Sequence, residues 1–192
     1  RGYLTCIKNC SRNLLVIIND VLDFSKVELG KMSFEEVPFR LTEVGSQVIE
    51  LFRSKAEEKG LRLLFKKDPQ FTDSVLGDPT RLTQILNNLI SNAIKYTPAG
   101  GEITIRIRET NTEGLIDVID TGPGVPPEIG ERVFYPLVSG RDNGSGLGLT
   151  IAQNFVSQHN GTLTFESAPG KTCFTVLLPV AEAPESGVQG HA

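Results

Sequence analysis

The chain has 192 residues, a formal net charge of −4, and 39% hydrophobic and 22% charged residues. That length suits one domain of ordinary size plus an appendage, and that composition supports a buried core and excludes bulk disorder. An acidic balance without a long basic tract argues against nucleic acid as a partner, no apolar run reaches the roughly 18 residues of a membrane span, and no secretory signal is present, so a cytoplasmic segment without membrane contact is expected.

The chain opens at Arg1 inside a helical pattern and reads as an excised piece of something longer. Over residues 3–29, Leu4, Ile7, Leu14, Ile17, Val21 and Phe24 recur at helical steps, with Gly30 as a stop signal. So broad an apolar face wants a partner helix or a bundle, although an ordinary core helix would show the same stripe. Cys6 and Cys10 share one face of this helix, and with Cys173 they make an odd, sparse set. That set fits a reducing compartment and neither a disulfide framework nor a metal site.

A strand-like segment follows at residues 32–39, then a helix with Thr42 as its N-cap, ended by Gly60. Residues 61–66 read as a strand, and Val75 and Leu76 as a short apolar pair. Asp78 and Pro79 open another helix, the first as N-cap and the second at the first helical position, which runs to about Tyr96. A turn occupies residues 97–101. Ile103, Ile105 and Ile107 alternate with polar residues in a half-buried strand, and residues 115–119 form a second. A Gly/Pro-rich stretch over residues 121–148 holds a short helix at residues 128–133. Residues 149–159 are helical, residues 163–166 and 174–178 are strands, and residues 181–192 form a disordered tail. Without a repeating βαβ unit, this order predicts an α+β fold: a two-layer sandwich with one mixed sheet, helices on one face, and a long N-terminal helix.

Three features carry chemistry. On the predicted helix, Asn88 and Asn92 lie one turn apart and Lys95 and Tyr96 extend the same side. Amide oxygens are hard ligands for Mg²⁺, which takes its other oxygens from water and phosphates, and an ammonium adds a point charge for phosphate. Taken alone, the two amides also fit a solvated face. Next, Asp120 ends an apolar strand and precedes Gly122 and Gly124. A carboxylate there can accept from an exocyclic amine such as that of adenine, and the glycines let backbone approach a ligand, though an ordinary turn has the same pattern. Last, Gly144, Gly146, Leu147 and Gly148 precede a helix whose free N–H groups and dipole make an anion site. No βαβ unit surrounds this run and no P-loop lysine follows it, so a dinucleotide fold and a P-loop are both disfavoured. Each feature is ambiguous by itself; the three in this order are specific.

These residues resemble the GHKL ATPase superfamily, and within it the sensor histidine kinases. Residues 88–97 resemble the N box, residues 120–125 the first glycine box, Phe134 the F box and residues 144–149 the second glycine box. The run LLVIINDVLDFSKVELGK at residues 14–31 resembles the second helix of the dimerisation hairpin. The first half is similar to hybrid sensor kinases, and FYPLVSGRDNGSGLGL with PGKTCFTVLLP to nitrogen-regulation sensor kinases.

The resemblance implies a Bergerat-type ATP-binding fold over residues 32–180, preceded at residues 1–31 by the partial dimerisation and phosphotransfer hairpin. It implies ATP and Mg²⁺ as ligands. Asn92 would coordinate the metal and Asn88 would contact the metal–phosphate system. Lys95 would contact phosphate, and Tyr96 would flank the base or ribose. Asp120 would bind the adenine amine, with Gly122 and Gly124 shaping its pocket. Gly144, Gly146, Leu147 and Gly148 would hinge a lid, mobile without nucleotide, and meet the phosphates, and Thr172 would lie beside adenine. Related ATPases carry Glu at the position of Asn88 as a general base, a role that an amide cannot perform, so ATP binding with poor hydrolysis is implied. The implied partners are a histidine-bearing dimerisation helix and a response-regulator receiver domain, within a homodimeric full-length sensor of a two-component phosphorelay, a class that includes membrane-anchored sensors. The family's phosphorylated histidine is not among His159 and His191. His159 is expected to serve at a helix C-terminus, and Arg141 either reaches a phosphate or is solvated. The competing readings are a non-catalytic nucleotide-binding or scaffold module and, disfavoured by Asn88, an ATP-hydrolysing machine.

Overall fold

A computed structural model describes residues 2–69, 71, 74–110, 113–130, 132–138 and 146–179. Gly144, Arg141, His191 and the tail from residue 181 lie outside the described residues, as do the side chains of Cys6 and Cys10.

The helices are α1 (Gly2–Glu28), α2 (Leu41–Glu58), α3 (Pro79–Tyr96), the short α4 (Pro127–Gly130) and α5 (Gly148–Gln158). The strands are β1 (Val37–Arg40), β2 (Arg62–Lys67), β3 (Ser74–Gly77), β4 (Glu102–Glu109), β5 (Glu113–Asp120), β6 (Thr162–Ala168) and β7 (Lys171–Pro179). Five strands form one sheet in the order β2-β4-β5-β7-β6, parallel between β2 and β4 and antiparallel elsewhere. Helices α2, α3 and α5 cover one face of it, giving the expected α+β sandwich.

The pleat explains the packing. Ile103, Ile105 and Ile107 all turn inward from β4 and are fully buried, meeting Leu82, Ile85, Leu89 and Ile90 of α3, each 0–1% exposed. The other face of the sheet has its own polar centre. Asp117 of β5 stands opposite Arg106 and Thr175 on the flanking strands. Its carboxylate, 0% exposed, accepts from Arg106 Nε at 2.9 Å, Arg108 Nε at 2.8 Å and Thr175 Oγ1 at 2.8 Å. Burial alone would raise this carboxyl, but the bonds from Arg108, Thr175 and Arg106 outweigh it and hold the group below the usual carboxylate range.

Local chemistry fixes the start of α3. Asp78 Oδ1 accepts from the N–H groups of Thr80 at 2.9 Å and Arg81 at 3.0 Å, and Pro79 occupies the first turn. A cap of this kind contributes about 1 kcal/mol. At α2 the expected Thr42 cap is corrected: the helix starts two residues earlier, at Leu41 after an extended Arg40, with no side-chain cap. Leu41 is fully buried, so seating it in the core decides where the helix begins. The strand expected over residues 32–39 forms only at β1, which pairs antiparallel with β3 in a separate two-stranded sheet. Met32 packs instead against the core, and Phe34 against a histidine ring. The helix expected over residues 128–133 closes at Gly130, with turns at residues 132–134.

Helix α1 is only partly satisfied. Phe24 and Val27, near its end, pack against the core, while Ile7, Leu14, Ile17 and Val21 are 44–61% exposed. Among the described residues no helix is long and apolar enough to cross a membrane.

His159 has the expected structural place as the C-cap of α5. Its Nδ1 bonds the Phe155 carbonyl at 2.8 Å, and its Nε2 accepts from the Asp78 N–H at 3.1 Å, so the ring is held neutral with its hydrogen on Nδ1. Burial pushes this imidazole below its ordinary 6.5. The unfolded chain therefore takes up a proton near pH 6.5 that the folded chain refuses, and stability present above that pH is lost as pH falls below it. Thermal melts across this window should show a steeper loss for the parent than for His159→Gln; parallel curves would remove the assignment.

Candidate functional site

Helix α3 organises the site. Its apolar stripe (Leu82, Ile85, Leu86, Leu89 and Ile90) is buried, which turns Asn88, Asn92 and Lys95 to the other side, where each is half-buried. Asn88 Nδ2 donates to the Gly148 carbonyl at 3.0 Å, tying the middle of α3 to the first residue of α5. The Asn92 side chain makes no hydrogen bond to any described residue, which leaves its amide oxygen open to a ligand. Lys95 Nζ stands 5.1 Å from the centroid of the Tyr96 ring.

The far end of α3 meets the carboxylate. Thr97, the C-cap of α3 and 0% exposed, has its Oγ1 3.4 Å from Asp120 Oδ1. That same oxygen accepts from the Gly122 N–H at 2.8 Å, while Oδ2 has no hydrogen bond among the described residues. Asp120 is 6% exposed, and burial pushes its carboxyl above the ordinary 3.8, opposed by the bonds from Gly122 and Thr97. Thr172, 4% exposed, is the register partner of Asp120 across β5 and β7, so the two sit side by side. The Thr172 hydroxyl lies 3.1 Å from that of Ser167, which accepts from the Val125 N–H at 2.8 Å. This seats the first glycine run on the β6–β7 hairpin. Gly124 is required there: its φ is +88°, and a Cβ would lie 3.1 Å from the Ala168 carbonyl.

The second glycine run closes the other side. Gly146 has φ +66° and accepts at its carbonyl from the Leu137 N–H at 3.0 Å. Thr150 Oγ1 donates to the Phe134 carbonyl at 2.8 Å, and the Phe134 ring lies edge-on to Phe165 and Phe174 at 5.8 and 6.3 Å. Leu147 differs from its neighbours: its side chain, 4% exposed, belongs to the core. An added Cβ at Gly146 would stand 2.7 Å from the Leu137 backbone. Gly146→Ala should therefore cost about 2 kcal/mol and lower the melting midpoint by roughly 4–8 °C, as read by calorimetry.

Thus α3 links all three motifs, with Gly148 at Asn88 and Asp120 at Thr97, about 13 Å further along the helix axis. Thr97 and Ser167 are the members not expected from sequence. Thr97 reads there as a turn residue and as the last position of the run that resembles the N box, with no role of its own.

Comparison with known proteins identifies the family and the fold. Residues 77–182 match the family of histidine kinase-, DNA gyrase B-, and HSP90-like ATPases. The signal transduction histidine-protein kinase BarA of Escherichia coli (strain K12) is 40% identical over 181 residues, covering 89% of this chain and 20% of that protein. The chain thus spans about a fifth of that curated relative. The catalytic domain of histidine kinase ThkA superposes with a TM-score of 0.70 at 31% identity, covering 79% of this chain and 100% of that domain. ThkA in complex with the response regulator protein TrrA gives 0.76 at 27% identity, over 94% of this chain and 51% of that one. Full-length ShkA in complex with AMPPNP gives 0.85 at 30% identity, over 95% of this chain and 39% of that one. By both its sequence match and its fold, the chain belongs to the histidine kinase-, DNA gyrase B-, and HSP90-like ATPase family, on the histidine-kinase side of it.

Proposed function

We propose that this chain is the ATP-binding catalytic part of a two-component sensor histidine kinase. It moves the γ-phosphoryl of ATP to a histidine on a dimerisation helix outside this chain, and the group then passes to an aspartate of a response-regulator receiver domain. The observation that carries the reading is α3, which holds Asn88 against Gly148 of the second glycine run and, at its C-cap, Thr97 against the buried carboxylate of Asp120.

In this reading Asp120 Oδ2, free of other bonds among the described residues, accepts from the adenine amine, with Thr172 and Thr97 beside it. Gly122 and Gly124 keep side chains out of the base pocket, and Tyr96 flanks the base or ribose. At the other end Asn92 supplies an amide oxygen to Mg²⁺. No three of His, Cys, Asp and Glu converge among the described residues, so such an ion would take most of its oxygens from phosphate and water, as Mg²⁺ does. When bound, the metal neutralises charge on the phosphates. Asn88 holds the start of α5 and faces the same group, and Lys95 adds a positive charge. Gly146 and Gly148 bring backbone and the positive end of α5 to the phosphates; Gly144 and Leu147 belong to the same run, the former outside the described residues.

Asn88 has no basic atom to take a proton from water. Hydrolysis is therefore slow, and the phosphoryl group waits for a better nucleophile: an imidazole nitrogen forms the new P–N bond as the bond to ADP breaks. Residues 1–31 act as the second helix of the dimerisation hairpin, residues 32–180 as the catalytic unit and residues 181–192 as a tail. The exposed apolar row on α1 supports this, since a hairpin partner and a second protomer would cover it. Incubating the chain with Mg²⁺, ATP and a separately produced dimerisation domain that carries its histidine should yield acid-labile phosphate on that domain. Nucleotide binding without label would favour the non-catalytic module, and rapid phosphate release without label the hydrolysing machine.

A further inference from the structure

Helices α3 and α5 pack side by side and run in opposite directions, because two bonds pin them at opposite ends. One is Asn88 Nδ2 to the Gly148 carbonyl, at the proposed nucleotide end. The other is the Asp78 N–H to His159 Nε2, where α3 starts and α5 finishes. The interval from Asp78 to Asn88 along α3 and that from Gly148 to His159 along α5 each span about 15 Å, so the pair forms a frame with a tie at either end.

The distal tie is also where the segment after α1 attaches. The Phe34 ring meets the His159 ring edge-on, with centroids 4.3 Å apart and planes at 84°. The Glu35 N–H donates to Asp78 Oδ2 at 3.3 Å, while Oδ1 of the same carboxylate caps α3. Asp78 and His159 are 4% and 6% exposed. Gly77 leaves room for the imidazole, since a Cβ there would stand 2.6 Å from His159 Cδ2. Arg81 completes the corner, its Nε 4.0 Å from Asp78 Oδ2 and its guanidinium 5.1 Å from the centroid of the Phe155 ring. One carboxylate and one imidazole thus touch the linker, the first turn of α3 and the last turn of α5.

We infer that Asp78 and His159 are positioning residues that, with Phe34 and the Glu35 amide, form a clasp through which the placement of α1 sets the alignment of α3 with α5, and so the geometry of the Asn88–Gly148 end where nucleotide binds. This rests on the nucleotide reading above. The clasp touches no ligand; it acts by holding two helices in register. Its loosening lets α5 slide relative to α3, which shifts the N–H groups at Gly148 against the amides of Asn88 and Asn92.

The test uses the whole chain and a non-hydrolysable ATP analogue with Mg²⁺, by calorimetry well below the melting midpoint. Phe34→Ala removes the ring from a half-buried linker position. It is expected to weaken the analogue about five-fold at unchanged stoichiometry, the scale of a typical coupling between sites. Phe34→Tyr, which keeps the ring, should restore parent affinity. A residue of merely structural importance would lower the midpoint and leave the affinity of the folded molecules alone. Amide exchange should quicken at Asp78 and in the first turn of α5 together. Asp78→Asn is the second variant, keeping an N-cap for α3 while replacing the acceptor of the Glu35 N–H, and it should weaken the analogue likewise. Asn92→Ala separates the two ideas. If Asn92→Ala binds like the parent, the nucleotide reading fails and the clasp's role with it. If Asn92→Ala loses binding while Phe34→Ala and Asp78→Asn keep parent affinity and parent exchange at α5, the clasp alone is overturned.

Discussion

Asp120→Asn should weaken nucleotide binding by roughly 10- to 100-fold and, at neutral pH, make the empty protein harder to melt. Both effects come from one buried carboxylate. Asp120 is 6% exposed and sits beside two hydroxyls and one amide with no cation among its hydrogen-bond partners, so burial raises its carboxyl above the ordinary 3.8. The sign follows. Between 3.8 and the raised folded value, the folded chain holds a proton that the unfolded chain has lost. Stability is therefore shed as pH rises through that interval and stays lower at neutral pH. Asparagine carries no charge to desolvate, so the variant escapes that loss and should gain over the parent at neutral pH but not below pH 3.8. Binding moves the other way, because a charged acceptor for the base amine becomes a neutral one. Calorimetric titration and melts at two pH values read both arms. Unchanged affinity would remove Asp120 from the base pocket, and an unchanged midpoint would mean that its burial costs nothing.

Asn92→Ala carries the other large expected effect. Its amide makes no hydrogen bond to any described residue, so removing it should disturb the empty fold little. If the amide oxygen ligates the metal, analogue affinity in Mg²⁺ should fall at least about 100-fold, since even indirect partners of a ligand change affinity by 10–100-fold. The same variant should be indifferent to chelation. The parent should lose affinity in EDTA down to the level of Asn92→Ala, and the variant should lose nothing more. A variant that still responds to EDTA would place the metal on other groups.

Much of this is legible in the sequence. The stripe of α3 and its Asp78–Pro79 start are local signals, and the helix lies where they say. The three motifs were readable too, because each is a short run whose chemistry lies in its own residues. What escaped depends on contacts between distant segments. Thr42 looks like a cap until Leu41 is seen to be fully buried, at which point core packing overrides the cap preference. Asp117 reads as one polar residue in a strand, and only the register of β4, β5 and β7 reveals it as the meeting point of two arginines and a threonine. Thr97 joins the site only because β5 ends against the last turn of α3. The β1–β3 pair comes from two short segments with thirty-odd residues between them, a distance at which periodicity carries no information.

The hydrogen bond between Leu137 and Gly146 joins an N–H to a carbonyl, but both residues stand at positive φ, which narrows what can occupy either end. Any redesign that keeps this bond must therefore spare the glycine at 146, whose backbone no side chain can share without displacing Leu137.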